Sequence, residues 1–286
     1  MSKNTNTLSK QSEQIYIGGY LAVIATPIGT LADWSARAAQ ICAEVDVIAC
    51  EDTRVTGKLL HHYGIKTKML PYHEHNSEKQ RPVLLELLAE GKNIALVSDA
   101  GTPLISDPGY KLVRQVRAQG HRIMSVPGAS SVTAALSIAG LPSNRFLFLG
   151  FLPNKSAARC KEIALFTHTP ATLVIFESAQ RITNSLKDLL QVLGNREAAI
   201  AREISKRYEE VLYGNLADLI PRSEELKGEI VLLVAPGEKN TDDSEENLDI
   251  LLKQALEKYS LKEAVAAVAS NTGLPKKQVY SRALEL

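Results

Sequence analysis

Two short segments bring together side chains that can move a proton or hold a phosphate: Glu51 to Arg54 (EDTR) and His73 to Asn76 (HEHN). A carboxylate or an imidazole beside a hydroxyl group can act as a general base, and an arginine can hold a phosphate through two parallel hydrogen bonds. We therefore predict that Arg54 binds a phosphate. The candidates for the base are Glu51, Asp52, His73 and Glu74, with His75 beside them.

Both segments also have a purely structural interpretation. The first can begin a helix that is capped by Asp52 or Thr53, and the second can be a solvated turn in which Asn76 caps the following helix. A metal site is not predicted. His73 and His75 can share one face of an extended segment, but the loop offers no clear third ligand on that face.

Four loops rich in glycine and proline each follow a predicted strand. They are Ala25–Asp33, Ser98–Gly109, Val126–Ser131 and Gly150–Asn154. Any one of them alone is an ordinary strand-to-helix turn, with Asp33, Asp107 or Ser130 as the helix cap. Several such loops at the carboxyl edge of one sheet predict a binding site, because glycine and proline leave room for a ligand to meet the main chain.

The common ligand-binding motifs are absent from the chain. It contains no GxGxxG, GxxxxGK[ST], GxSxG or HExxH sequence. The dinucleotide-binding, P-loop, α/β-hydrolase and zinc-protease classes therefore have no local support.

An alternation of strands and helices must position the four loops. From Tyr20 to about Leu149, short apolar runs alternate with stretches of helical period, which predicts a parallel sheet covered by helices. The predicted strands are Leu21–Ala25, Val45–Cys50, Ile94–Ser98, Arg122–Val126 and Phe146–Leu149. The predicted crossover helices are Asp33–Ala43, Glu78–Glu90, Tyr110–Ala118 and Ser130–Ala139.

A second α/β unit with a mixed sheet is predicted after a hinge at 150–154. Its strands are predicted at Thr172–Phe176, Ala198–Arg202, Glu209–Tyr213 and Glu229–Ala235. The predicted order of domains is a disordered tail (1–14), an α/β domain (15–149), a second α/β domain (150–236), an acidic linker (237–247) and a helical tail (248–286). In this tail Ala269, Gly273 and Val279 have the spacing of a helix-turn-helix, although a segment this short matches the spacing easily by chance and an ordinary pair of packed helices also explains it.

Composition excludes several classes of protein. The 286 residues are 45% hydrophobic and 23% charged, which suits one large or two ordinary folded domains. No apolar run reaches the length of a membrane span, and the polar first fourteen residues predict no secretory signal, so we expect a cytoplasmic protein. Cys42, Cys50 and Cys160 form no CxxC pair, which is typical of a reducing compartment. Because the net charge is only +1, a nucleic acid would have to bind at a local basic patch.

A set of motifs resembles one known family. The set is TPIGTLADWSARA, EDTR, HEHN, LVSDAGTPLISDPG, VPGASSVTAAL, GFLP and KGE, spread between about Leu21 and Ala235. Together they resemble the tetrapyrrole-methylase-like methyltransferases, and more narrowly the branch that methylates the 2'-oxygen of a cytidine in small-subunit ribosomal RNA. Two positions depart from the pattern. Thr30 stands where asparagine is expected, and Ala129–Ser131 is closer to the wider superfamily than to this branch.

The resemblance implies a two-domain tetrapyrrole-methylase-like fold that binds S-adenosylmethionine in the cleft between its domains. The implied donor-binding residues are Asp99, Ala100, Gly101, Thr102, Pro103, Leu104, Ser130 and Ser131. Phe176 can form a wall for the adenine, or it can be an ordinary buried aromatic of a strand. The implied partner is 16S rRNA within the small ribosomal subunit, and the family resemblance suggests a homodimer.

An RNA substrate makes the basic residues outside the cleft candidates for phosphate contact, although such residues usually form solvated faces. The candidates beside Arg54 are Lys155, Arg159, Arg202, Lys206, Lys276, Lys277 and Arg282. Two other functions compete with RNA methylation. A tetrapyrrole-type small-molecule methylase would share the donor site but needs a closed apolar acceptor pocket. A non-catalytic nucleic-acid-binding regulator would act through the tail, but it would have no use for the four loops.

Overall fold

The computed structural model describes residues 16–237, 245–257, 259–272 and 274–286. These residues form two compact units. The first contains the described residues up to Thr167 together with Ala171–Ala235, and the second contains His168–Pro170 and the described residues from Pro236 to Leu286. The predicted disordered tail and most of the predicted acidic linker lie outside the described residues.

The first unit begins with a parallel five-stranded sheet, here called the first sheet. Its strands are β1 (Tyr20–Ile24), β2 (Val47–Cys50), β3 (Lys68–Pro71), β4 (Ile94–Val97) and β5 (Arg122–Val126), in the order β3-β2-β4-β1-β5. Its helices are α1 (Ala36–Glu44), α2 (Thr53–His62), α3 (Ser77–Ala89) and α4 (Tyr110–Ala118). Helices α1 and α2 pack on one face and α3 and α4 on the other, so β2 and β4 are buried at every position.

A second, mixed sheet completes the first unit. Its strands are β6 (Phe146–Phe151), β7 (Thr172–Ser178), β8 (Glu197–Arg202), β9 (Glu210–Asn215) and β10 (Glu229–Val234), in the order β6-β7-β10-β8-β9. Its helices are α5 (Ser131–Ile138), α6 (Ser156–Ala164), α7 (Ile182–Leu193) and α8 (Leu216–Arg222). Only β6 and β7 pair in parallel, while the other pairs are antiparallel. The predicted α/β class with a mixed second sheet is confirmed.

Two predicted assignments within this order are wrong. The strand predicted at Phe146–Leu149 belongs to the second sheet, because β6 pairs with β7. The helix predicted at Ser130–Ala139 covers the second sheet rather than the first, because α5 buries Val132, Ala135 and Leu136 against its strands. The chain therefore passes from one sheet to the other between β5 and α5.

The second unit contains three helices, α9 (Glu245–Leu256), α10 (Leu261–Thr272) and α11 (Lys276–Ala283). They pack around Leu252, Val265 and Val279, which confirms a helical tail. The predicted turn residue Gly273 lies outside the described residues. None of the described helices combines the length and the apolar composition that a membrane-spanning segment needs.

Candidate active site

The loop between β4 and α4 has an unusual backbone. Gly101, Leu104 and Ser106 have φ angles of +83°, +74° and +63°. Gly101 forms a two-residue bridge with Thr26, with N···O distances of 2.9 and 3.1 Å, which ties this loop to the loop after β1. Non-glycine residues keep such angles only where their neighbours hold them, and they are concentrated at functional sites.

The structure also changes the roles predicted for the helix caps. The side chain of Ser35, not Asp33, caps α1. The N-cap of α4 is Gly109, and Asp107 instead lines a cavity. Ser130 is at the N-cap of α5, but its side chain forms no capping hydrogen bond. Asp107 and Ser130 are therefore available to a ligand.

The cavity that these loops surround, here called the main cavity, measures about 440 Å³. It lies at the carboxyl edge of the first sheet and is also lined by residues of β7 and β10. Residues of the predicted donor set that line it are Asp99, Ala100, Gly101, Thr102, Ser130, Ser131 and Phe176. Pro103 and Leu104 do not line it. Pro103 is buried, and Leu104 packs into the core formed by β4 and α4, so their side chains point away from this cavity and their contact with the donor stays a prediction.

The lining of the main cavity combines carboxylates with apolar walls. Its acidic residues are Asp99, Asp107, Glu177 and Glu229, and no lysine or arginine of the described chain lines it. Arg181 pairs with Glu177 and Lys206 pairs with Glu229, which leaves Asp99 and Asp107 without an ion pair among the described residues. The apolar walls include Ile28, Ile105, Phe151, Phe176, Ile204 and Val231.

A second cavity, here called the polar cavity, joins the two segments that sequence analysis singled out. It measures about 540 Å³ and is lined by Glu51, Asp52, Thr53, Arg54, Pro71, His73, Glu74, His75 and Asp99. All four candidate bases therefore meet in one place, together with Arg54. Asp99 lines both cavities, so the polar cavity adjoins the main cavity.

Asp52 and Arg54 form a fixed pair at the start of α2. The Arg54 Nε atom lies 3.0 Å from Asp52 Oδ1, and Nη2 lies 2.6 Å from Oδ2. The Asp52 carboxylate also accepts the backbone N–H of Arg54, which confirms Asp52 as the helix cap. These hydrogen bonds lower the pKa of Asp52 to about 2. The carboxylate of Asp52 is therefore a weak base. The backbone N–H of Asp52 donates a hydrogen bond to Asp99 Oδ1 at 3.0 Å, so this residue also positions Asp99.

Glu51 has a different environment from its neighbour. Its carboxylate forms no hydrogen bond or ion pair within the described chain, and its side chain is half-buried. Burial raises the pKa of Glu51 first, and the negative charges of Asp107, Asp99 and Asp52 raise it further. Burial likewise raises the pKa of Asp99 and of Asp107. Glu51 is the carboxylate in the polar cavity whose environment best suits a general base.

The HEHN segment is a turn, but not in the predicted form. Asn76 occupies the N-cap of α3, yet its Oδ1 accepts the backbone N–H of His73 at 2.9 Å and its Nδ2 donates to the carbonyl of Pro71. The Nδ1 atom of His73 is buried and has no hydrogen-bond partner in the described chain. Among the described residues, no group of acidic, histidine or cysteine side chains is arranged to hold a metal ion.

Two distant loops meet next to Ile28 and Ile204, which line the main cavity. Thr30 Oγ1 donates to the carbonyl of Ser205 at 2.6 Å, and Ser205 Oγ bonds to Asp33. A Cβ atom on Gly29 would lie 2.6 Å from the Ser205 carbonyl oxygen, so this contact requires glycine. Thr30, which departs from the family pattern, therefore contributes the hydroxyl that joins these two loops.

The basic residues predicted to bind RNA have different surroundings. Lys155, Lys276 and Lys277 are exposed. Arg202 pairs with Glu210, Lys206 with Glu203 and Glu229, and Arg282 with Asp249 and Glu285. Arg159 is only 4% exposed, and its guanidinium bonds to Asp188 and to the carbonyls of Pro153 and Asn154. The prediction that Arg159 contacts RNA is therefore wrong.

Replacing Arg159 with methionine tests its structural role. The substitution leaves Asp188 buried with only Ser156 as a partner, and removing one member of a buried ion pair costs about 3–5 kcal/mol. We expect the free energy of unfolding, measured by denaturant titration, to fall by about that amount. Exposed Lys155, four residues earlier, is the control, and its replacement should change the free energy by less than about 0.5 kcal/mol. Equal effects of the two substitutions would contradict this role.

Comparison with known proteins agrees with this geometry. Residues 20–220 match the family described as Tetrapyrrole (Corrin/Porphyrin) Methylases, and residues 241–286 match the RsmI C-terminal HTH domain. Two relatives named Ribosomal RNA small subunit methyltransferase I are each 45% identical to this chain. The Mesorhizobium japonicum protein aligns over 93% of this chain and 92% of its own length, and the Vibrio cholerae protein over 93% and 94%.

A solved structure shares the fold. The crystal structure of uroporphyrin-III C-methyltransferase from Thermus thermophilus, complexed with S-adenyl homocysteine, superposes with a TM-score of 0.55 at 19% identity. The superposition covers 76% of this chain and 97% of that one. Because the first family match spans most of the chain and the relatives align almost throughout, the chain belongs to the tetrapyrrole methylase family, in the branch of the ribosomal RNA small subunit methyltransferases I.

Proposed function

We infer that this chain transfers a methyl group from S-adenosylmethionine to the 2'-oxygen of a cytidine in small-subunit ribosomal RNA. The observation that carries the inference is the position of Asp99, which lines both the main cavity and the polar cavity. A methyl donor in the first cavity would then adjoin a group of proton acceptors in the second. The names of the relatives supply the class of acceptor.

The residues of the main cavity fit S-adenosylmethionine, which when bound supplies an electrophilic methyl group on a positively charged sulfur. Asp99 and Asp107 are carboxylates without an ion pair in the described chain, and no lysine or arginine of that chain lines the cavity. Such a lining favours a cation. Ser130 and Ser131 lie at the N-terminus of α5, where unpaired N–H groups suit the donor's carboxylate. Phe176, in edge contact with Phe148 and Phe151, offers a wall for adenine.

In the polar cavity we assign the role of general base to Glu51. As the hydroxyl oxygen forms its bond to the methyl carbon, the bond from that carbon to sulfur breaks and its electron pair stays on sulfur, so the hydroxyl proton needs an acceptor. The carboxylate of Asp52 is occupied by Arg54, and Glu74 is exposed. Alignment of oxygen, carbon and sulfur supplies much of the acceleration, and the base adds to it.

The test of this function is a map of transferred methyl groups. Purified protein is incubated with methyl-labelled S-adenosylmethionine and small ribosomal subunits from a strain that lacks this modification, and their RNA is then analysed by mass spectrometry. We expect the label on the ribose of one cytidine. Label that appears on a tetrapyrrole acceptor and not on RNA would replace this proposal with the small-molecule alternative.

Two finer proposals follow from the family resemblance. We propose that the assembled small ribosomal subunit is a better acceptor than naked rRNA, and that the protein acts as a homodimer. Parallel labelling of the two acceptors tests the first proposal. Sedimentation of the purified protein tests the second, and a single species with the mass of one chain would reject it.

The pH dependence of methylation should report the charge around Glu51. Glu51 accepts a proton only when ionised, so activity falls as the pH drops through its raised pKa. Because the negative charge of Asp107 raises the pKa of Glu51, Asp107→Asn should move the acidic limb of kcat/KM to lower pH. The exposed Glu86 on α3 is the control, and Glu86→Gln should leave this limb in place. A limb that moves to higher pH in Asp107→Asn would exclude Glu51 as the titrating group.

A further inference from the structure

A basic surface that sequence analysis did not identify begins at the rim of the polar cavity. Between Asp52 and Glu74 the sequence contains no acidic residue. The same stretch contains Arg54, Lys58, His61, His62, Lys66 and Lys68, all of them exposed. These six residues are here called the α2 patch.

The α2 patch follows from the way α2 packs. The helix buries Thr56, Leu59 and Leu60 against the first sheet, so its opposite side faces solvent. Arg54 and Lys58 are four residues apart, and His62 follows after another four, which places them along one side of the helix. With about 1.5 Å of rise per residue, this row extends about 12 Å from the rim of the polar cavity. Lys66 and Lys68 continue it on to the edge strand β3.

Arg54 pairs with Asp52, but the lysines of this surface are not neutralised by any described neighbour. Within the described chain, Lys58, Lys66 and Lys68 form no ion pair. The basic residues of the second sheet differ, because Arg202 pairs with Glu210 and Lys206 with two glutamates. Unpaired lysines in a row are the feature that attracts a phosphate backbone, because binding releases the counterions condensed on the nucleic acid.

We propose that the α2 patch binds the phosphate backbone of the RNA strand that enters the polar cavity. This inference rests on the proposed function, because it identifies the surface that binds the RNA substrate of that reaction. The strand would place one ribose among Glu51, Asp52 and His73, and its neighbouring phosphates would follow α2 away from the cavity towards β3. Single-stranded RNA is the form that such a path admits, because a base-paired ribose would carry a second strand with it.

The test removes three charges from the patch and leaves the cavity intact. The variant carries Lys58→Gln, Lys66→Gln and Lys68→Gln. The matched control carries Lys111→Gln, Arg114→Gln and Arg117→Gln, which removes three exposed charges from α4 on the opposite face of the same sheet. Affinity for in vitro transcribed small-subunit rRNA is measured by filter binding at several salt concentrations, and calorimetry with S-adenosylmethionine checks that each protein is folded.

We expect the patch variant to bind rRNA at least about tenfold more weakly at low salt. A plot of log affinity against log salt concentration has a negative slope, and we expect this slope to become shallower by about 2, because each of the three lost phosphate contacts contributes about 0.7. The α4 control should stay close to the parent. An unchanged affinity of the patch variant, or an equal loss in both variants, would overturn the inference. Methylation of rRNA by the unmodified protein tests the proposed function separately. If the unmodified protein methylates rRNA and the patch variant still binds rRNA with normal affinity, only the role of the patch is overturned.

Discussion

Glu51→Gln is expected to lower kcat for rRNA methylation by about 10²- to 10⁴-fold, the usual contribution of a positioned general base. Glutamine keeps the size of the side chain, but its amide cannot accept the proton. Glu51 lines the polar cavity and not the main cavity, so the affinity for S-adenosylmethionine should stay within about a factor of two. The measurement is single-turnover methylation with the donor saturating, together with calorimetric titration of the donor.

Glu74→Gln is the matched control for this prediction. Glu74 lines the same cavity and loses the same charge, but it is exposed, whereas Glu51 is half-buried. We expect it to lower kcat by less than about tenfold. If Glu51→Gln and Glu74→Gln lowered kcat equally, the total negative charge of the cavity, and not one general base, would explain the loss of activity. If Glu51→Gln retained full activity, His73 would become the leading candidate, because its Nδ1 atom is buried without a partner in the described chain.

Gly101→Val is expected to weaken donor binding by about 10- to 100-fold. Gly101 has a φ of +83° in the middle of the main-cavity loop, and a β-branched residue at such an angle is strained by about 1–3 kcal/mol. The added Cβ would also lie 3.4 Å from the Cγ2 atom of Ile28, another lining residue. In the free protein the loop should relax away from Thr26, so donor binding would have to restore the strained conformation. Each 1.4 kcal/mol of strain restored on binding lowers the affinity for the donor about tenfold. Calorimetric titration with S-adenosylmethionine measures the loss.

Gly91→Val separates strain in the loop from strain in general. Gly91 has a φ of +86°, and apart from its own chain neighbours no atom lies within 4 Å of the Cβ position that a substitution would fill. It follows α3 and does not line either cavity. The variant should lose folding stability to a similar extent but bind the donor with the affinity of the parent. A similar loss of donor affinity in both variants would show that overall stability, and not the loop conformation, controls binding.

The loops at the carboxyl edge of the first sheet were predictable because their signals are local. Glycine and proline after an apolar run indicate a turn, and parallel strands bring such turns to one edge. Pro103 and Leu104 could not be separated from Gly101 in this way, since only the positive φ at Leu104 and its packing show that its side chain belongs to the core. Contacts from the far sheet, such as Ile204, depend on tertiary structure and carry no local signal.

A buried ion pair explains why the RNA contact predicted for Arg159 is wrong. Arg159 and Asp188 are 29 residues apart, and nothing in the sequence around Arg159 indicates that its partner is buried beside it. The α2 patch was missed for a related reason. Its basic residues are spread over a helix, a turn and a short edge strand, so they do not form a run of charge. Their significance depends on the fact that its lysines, Lys58, Lys66 and Lys68, have no described acidic partner in three dimensions.

The main cavity takes its lining from Ile28 near one end of the first unit and from Val231 near the other. A hydrogen bond between Thr30 and Ser205, which are 175 residues apart, joins the loop after β1 to the loop after β8. A fragment that stopped before β10 would keep every glycine-rich turn of the first sheet and still lack a wall for the methyl donor. Because the donor can bind only when both sheets are folded and in place, its binding would stabilise the two sheets together. Protection from thermal unfolding by S-adenosylmethionine would report that both sheets have been assembled.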